Sequence, residues 1–92
     1  MMRTVVREKA ADDAIDACAM AFARGREVCE ALIDLISRLP TLGQRIAGTN
    51  PPEFVIKSAE PLGAETPVVT MHYRMEADGN TVTLIRARYH DA

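Results

Sequence analysis

Residues 68–90, VVTMHYRMEADGNTVTLIRARYH, hold two stretches of alternating side chains on either side of the turn ADGN at residues 77–80. An Asp-Gly pair between such stretches is a strong signal for a β-hairpin. The sequence therefore predicts strands at 68–76 and 81–90 that pair antiparallel. Successive side chains of a strand point to opposite faces of the sheet, so each strand can be divided into two sets.

One face of this hairpin is predicted to be apolar and the other polar. The apolar set of the first strand is Val69, Met71, Tyr73 and Met75, and that of the second is Ile85, Ala87 and Tyr89. The polar set contains His72, Arg74, Arg86, Arg88 and His90. Such clean alternation is typical of a sheet that is covered on one side only.

A further strand is predicted at 54–58, FVIKS, joined to the hairpin by a loop at 60–67. If Phe54 and Ile56 face the core, Lys57 lies with the polar set of the hairpin. The residues predicted to share this polar side are called the cationic face: Lys57, His72, Arg74, Arg86, Arg88 and His90.

The first half of the chain has the pattern of helices. A β-branched stretch at 3–6, RTVV, predicts a short strand, and helices are predicted at 10–24 and 26–40. Gly25 separates the helices, and one continuous helix through it is the alternative. Segment 41–53 is rich in Gly and Pro and is predicted to be a loop.

Helical spacing assigns two apolar stripes to the core. The stripe of the first helix is Ala11, Ala14, Ile15, Cys18, Ala21 and Phe22, and that of the second is Val28, Leu32, Leu35, Ile36 and Leu39. The predicted fold class is therefore α+β: a short N-terminal strand, then a two-helix antiparallel hairpin packed on one face of an antiparallel sheet of about four strands. With 92 residues, the chain is expected to form a single domain over residues 1–92.

The charge balance excludes a protein that attracts nucleic acid through its overall field. The formal net charge is −2, so an anion site must be local. No acid occurs between Asp78 and Asp91, where two of the arginines lie. The chain has no apolar run long enough to span a bilayer and no signal-peptide pattern, so we expect a cytoplasmic protein whose Cys18 and Cys29 are reduced.

The residues favour binding of an anion over metal or nucleophile chemistry. Cations on neighbouring strands repel one another, and a phosphodiester or an acidic partner segment would make that repulsion useful. A metal site from His72, His90 and Asp91 is disfavoured by the cationic neighbours, and Ser37 and Ser58 have no nucleophile motif around them. We therefore predict no cofactor and no metal.

Three segments resemble the RelE/ParE superfamily of bacterial toxin-antitoxin toxins, which includes plasmid stabilisation toxins. They are LPTLGQRI at 39–46, YRMEADG at 73–79 and VTLIRARYH at 82–90. The resemblance implies that the chain is the toxin component of a type II toxin-antitoxin system, which inhibits growth and is neutralised by a cognate antitoxin protein.

The resemblance also implies two alternative targets, since RelE-like members cut mRNA in the ribosome and ParE-like members inhibit DNA gyrase. The ending Arg-Tyr-His, at 88–90, is most similar to the YoeB-like ribonucleases and implies His90 as the catalytic acid/base. Lys57, Arg86 and Arg88 would then be phosphate ligands by their location on the cationic face alone. The ribonuclease branch has an arginine where this chain has Val69, and an aromatic residue at position 91, which favours binding over cutting.

A nonenzymatic binding domain is the third alternative that the sequence leaves open. Such a domain could form a homodimer through an edge strand, at 3–6 or 54–58, because an edge strand presents unpaired backbone groups.

Overall fold

The fold was analysed from a computed structural model, which describes residues 2–58 and 67–90. Its elements are β1 (Thr4–Arg7), α1 (Lys9–Ala21), α2 (Gly25–Arg38), β2 (Gln44–Ile46), β3 (Glu53–Lys57), β4 (Val68–Met75) and β5 (Thr81–His90). The predicted loop at 60–67, except Pro67, and position 91 lie outside the described residues.

The two helices form the predicted antiparallel hairpin, and the alternative of one continuous helix is wrong. The first helix ends at Ala21 and the second begins at Gly25. Gly25 is buried against α1, where a Cβ atom would lie 2.2 Å from the carbonyl oxygen of Cys18. A side chain at this position would therefore force the helices apart. Within the described chain, neither helix is long and apolar enough to cross a membrane.

The buried stripes of the helices largely match the predicted ones. The buried apolar side chains are Ala11, Ile15 and Cys18 of α1 and Cys29, Leu32 and Ile36 of α2, and of these only Cys29 is outside the predicted stripes. Burial, the largest cause, and the neighbouring Cys18 raise the pKa of the Cys29 thiol to about 12. Two predicted core positions are exposed: Ala21 is the last residue of α1, and Leu39 follows the end of α2 in a non-helical conformation that turns it out of the stripe.

The sheet has five strands in the order β1-β5-β4-β3-β2. Its strands from β2 to β5 are antiparallel, as predicted, but β1 pairs with β5 in parallel, with Thr4 opposite Thr81. The additional strand β2 lies in the segment 41–53 that was predicted to be a loop. A strand of three residues is too short to show a period of two, so no local pattern indicates it.

A β-bulge in β5 changes which residues of this strand face the helices. His72 of β4 is opposite Arg86, whereas the next residue, Tyr73, is opposite Leu84, so Ile85 is an extra residue on β5. The prediction that Ile85 belongs to the core set is wrong. The fully buried residues of this part of β5 are Val82 and Leu84.

The helices cover the face of the sheet that carries Met71 and Tyr73, which are 0% exposed. Phe54 of β3 stacks on Tyr73 with ring centroids 5.4 Å apart. The Tyr73 hydroxyl donates to the carbonyl oxygen of Pro40 (2.6 Å) and accepts from the N–H of Gly43 (3.2 Å). These bonds tie the chain that leaves α2 to the middle of the sheet, and the opposite face, here called the open face, carries the polar set.

Candidate anion-binding site

The pairing register places open-face residues of β3, β4 and β5 in rows across the sheet. Two of these rows are Lys57–Thr70–Arg88 and Val55–His72–Arg86. Neighbouring strands lie about 4.8 Å apart, so the residues of one row are adjacent in space. The tertiary structure therefore brings Lys57, His72, Arg86 and Arg88 into one region, as the alternation predicted.

A depression lies at the centre of this region. It is lined by Val55, Thr70, His72, Arg86 and Arg88 and has a volume of about 90 Å³. This is room for a few water-sized groups, such as the oxygen atoms of one phosphate. Lys57 lies next to it, on the far side of Thr70 from Arg88.

Three cations around the depression have no carboxylate partner among the residues that the structure describes. Arg86, Arg88 and Lys57 are all exposed, and the ion pairs formed within residues 2–58 and 67–90 involve other side chains. Two guanidinium groups on one strand, two residues apart, offer paired N–H donors to the oxygens of an anion. This arrangement is suited to a phosphate or carboxylate ligand.

His72 differs from these cations because it is paired with an acid. Its Nε2 atom lies 2.6 Å from Oε1 of Glu53, and both side chains are 26% exposed. When Glu53 is ionised, its carboxylate can only accept, so the N–H at Nε2 donates the hydrogen bond. Glu53 is not among the predicted site residues because it is the last residue of the predicted loop at 41–53. In the structure β3 begins one residue earlier than predicted, and Glu53, next to Phe54, lies on the open face.

Arg74 also has an acidic partner and lies outside the depression. Its Nε atom is 3.0 Å from Oε2 of Glu76, which also accepts a hydrogen bond from the hydroxyl of Thr83. The Thr83 bond, first, and the Arg74 guanidinium lower the pKa of the Glu76 carboxyl. The repulsion expected on the cationic face is thus relieved at Arg74 and His72, and no carboxylate of the described residues relieves it at Lys57, Arg86 and Arg88.

His90 lies at the end of β5, where it is exposed and opposite Val68. It shares the open face with Arg88 but does not line the depression. Val69 is 1% exposed and belongs to the core on the helix side. An arginine at that position would point away from the open face, whereas the neighbouring open-face residue is Thr70.

Two other kinds of site are not supported in the described part of the chain. No three side chains of His, Cys, Asp or Glu come together there in a way that could hold a metal ion. A wider hollow beside the end of α2 is lined by Met2, Leu35, Arg38 and Leu39. It is mostly apolar, and its one charged residue is paired with Asp34.

Two solved structures share this fold. One is a chain of the RelBE2 toxin-antitoxin complex from Mycobacterium tuberculosis, with 16% identity and a TM-score of 0.66 over 98% of this chain and 100% of that chain. The other is the E. coli toxin RelE in the free state, as a variant in which two arginines are replaced by alanine, with 12% identity and a TM-score of 0.66 over 96% of this chain and 83% of that chain. The predicted RelE-like α+β fold is thereby confirmed. No family model matches the chain, and no curated protein matches it.

Proposed function

We propose that this protein is the toxin of a toxin-antitoxin pair, that it acts in the cytoplasm through the cationic face, and that its antitoxin blocks this face. The observation that supports the proposal is the group of Arg86, Arg88 and Lys57 around the depression, without carboxylate partners in the described chain. The sheet that carries them has the fold of RelE.

The local charge accounts both for the binding of a target and for the binding of the antitoxin. Three cations that lack a carboxylate partner within residues 2–58 and 67–90 repel one another and attract an anion, whereas the whole chain, with a net charge of −2, does not. The target would be either mRNA in the ribosome or DNA gyrase. An acidic antitoxin segment that folds onto the same face would neutralise it by occupying the same donors.

The solved neighbours support this proposal in two ways. One was determined as a complex of a toxin with its antitoxin. In the other, two arginines of the toxin were replaced by alanine. A pair of arginines is also the most prominent feature of the depression in this chain.

The proposal is tested by inducing the protein in a bacterium and following growth. We expect the wild type to arrest growth and the double variant R86A/R88A to lose this effect. The matched control is R24A/R26A, which removes the same charge from the helix side of the molecule and should remain toxic. A wild type that leaves growth unchanged, or a control that is as harmless as R86A/R88A, would refute the proposal.

Ribosome-dependent cleavage of mRNA is a second candidate function. It is favoured by an imidazole and a carboxylate, His72 and Glu53, that lie beside two arginines. In this function His90 is the acid/base candidate that the family resemblance implies. The test compares RNA cleavage on translating ribosomes by the wild type and by His90→Ala. Equal cleavage by both proteins removes His90 from the mechanism, and absence of cleavage by the wild type rejects the function.

A further inference from the structure

We infer that the Glu53–His72 pair couples the binding of a phosphodiester in the depression to the uptake of a proton. The inference deepens the proposed function, on which it rests for the class of ligand. It adds a residue that the sequence did not indicate, Glu53, and a form of regulation, sensitivity to pH.

Donors surround the depression on two adjacent strands. The Arg86 side chain is opposite His72 and the Arg88 side chain is opposite Thr70, so guanidinium groups line the β5 side and a hydroxyl and an imidazole line the β4 side. Val55 forms the wall on β3. A phosphodiester has two non-bridging oxygens that share one negative charge, and they match the paired donors of arginine. The volume of about 90 Å³ limits the ligand to one such group.

The carboxylate of Glu53 works against the binding of an anion unless His72 is charged. Oε1 of Glu53 lies 2.6 Å from the imidazole that forms one wall of the depression. A neutral imidazole leaves the negative charge of Glu53 uncompensated near the ligand. A protonated imidazole cancels it and adds a positive group opposite Arg86, so that proton and anion stabilise each other.

The other charged groups near His72 do not reverse this effect of its protonation on anion binding. On the elements that pack around it, these groups are Glu53 and Lys57 of β3, Arg74 of β4 with its partner Glu76, and Arg86 and Arg88 of β5. The cations oppose protonation of His72 and Glu53 favours it. A bound anion offsets the charge of the cations, and a proton on His72 offsets that of Glu53, so the affinity for the anion must rise when the pair takes up a proton.

The test is a titration followed by NMR of the two histidine rings, with a thymidine dinucleotide as the probe. This probe carries one phosphodiester charge throughout pH 5–8 and has no 2′-hydroxyl, so binding is measured without cleavage. The chain contains only two histidines, and the variant His72→Gln assigns both rings. We expect saturable shifts of the His72 ring and an affinity roughly three- to tenfold higher at pH 5.5 than at pH 7.5.

Variants separate the two parts of the inference. Glu53→Gln should bind the dinucleotide more tightly than the wild type at pH 7.5, whereas Glu30→Gln, the same change on the exposed side of α2, should not. His72→Gln should abolish the pH dependence, and R86A/R88A should abolish the binding. Thermal melting of each variant confirms that it is folded.

Three results would overturn the inference: no saturable binding of the dinucleotide at either pH, binding that does not depend on pH, or binding of inorganic sulfate alone. The growth assay is independent of this measurement. A toxic protein that fails to bind the dinucleotide refutes this inference and leaves the proposed function intact. A protein that binds it as expected but does not affect growth refutes the proposed function instead.

Discussion

Replacing Tyr73 by phenylalanine tests how the chain after α2 is attached to the sheet. The hydroxyl makes two hydrogen bonds, to the carbonyl oxygen of Pro40 and from the N–H of Gly43, and the residue is 0% exposed. Each bond contributes about 1 kcal/mol net, and a buried group left without a partner costs about 1–3 kcal/mol. Since Gly43 is partly accessible to water, we expect Tyr73→Phe to lower the free energy of unfolding by about 2–3 kcal/mol.

This loss is large for a domain of 92 residues, whose total stability is expected to be about 5–14 kcal/mol. Urea unfolding should show a lower midpoint with an unchanged slope, and the melting temperature should fall by about 10 °C or more. Tyr89→Phe is the matched control, because Tyr89 is only half-buried and its hydroxyl has no partner among the described residues. If Tyr73→Phe is no more destabilising than Tyr89→Phe, the two hydrogen bonds do not hold this segment in place.

Two further predictions concern stability. Gly25→Ala should destabilise the protein by about 1–3 kcal/mol in urea unfolding, because the added Cβ atom would collide with the backbone of Cys18. This loss is expected although alanine favours helices more than glycine does. Unchanged or higher stability would contradict the close contact between the helices. The Glu76 carboxyl has a lowered pKa because it accepts bonds from Thr83 and Arg74, so its contribution to stability is complete above its ordinary pKa of 4.5 and is lost as the pH falls below that value. Glu76→Gln should therefore reduce the difference between the urea midpoints at pH 6 and pH 3, and an unchanged difference would exclude this contribution.

The strands of the hairpin were determined by local sequence. In β4 the apolar residues occupy every second position, and the buried Met71 and Tyr73 lie on the predicted face. The turn of residues 77–80 allows little choice of partner, so β4 and β5 had to be neighbours. These features depend on residues close together in the chain, and a period of two or 3.6 is enough to reveal them.

The bulge and the direction of β1 could not be predicted from local sequence patterns. The buried residues Val82 and Leu84 have even numbers, whereas Ala87 and Tyr89 have odd numbers. This change implies an extra residue between the two pairs, but only once both pairs are known to face the helices. The parallel pairing of β1 with β5 joins the two ends of the chain. Local patterns contain no information about such a contact.

The sequence by itself determined that Arg86 and Arg88 lie on the same side of β5 and that His72 lies on the polar side of β4, since alternation along a strand fixes which way neighbouring side chains point. Only the tertiary structure decided how these residues are grouped. The register of β3 against β4 places Glu53 opposite Arg74 and diagonal to His72, which its carboxylate contacts. The bulge places Arg86, and not Ile85, opposite the imidazole. The reason is that a distance across a sheet depends on the pairing of distant segments, which packing against the helices selects. Whether a carboxylate meets a cation therefore follows from the assembled fold.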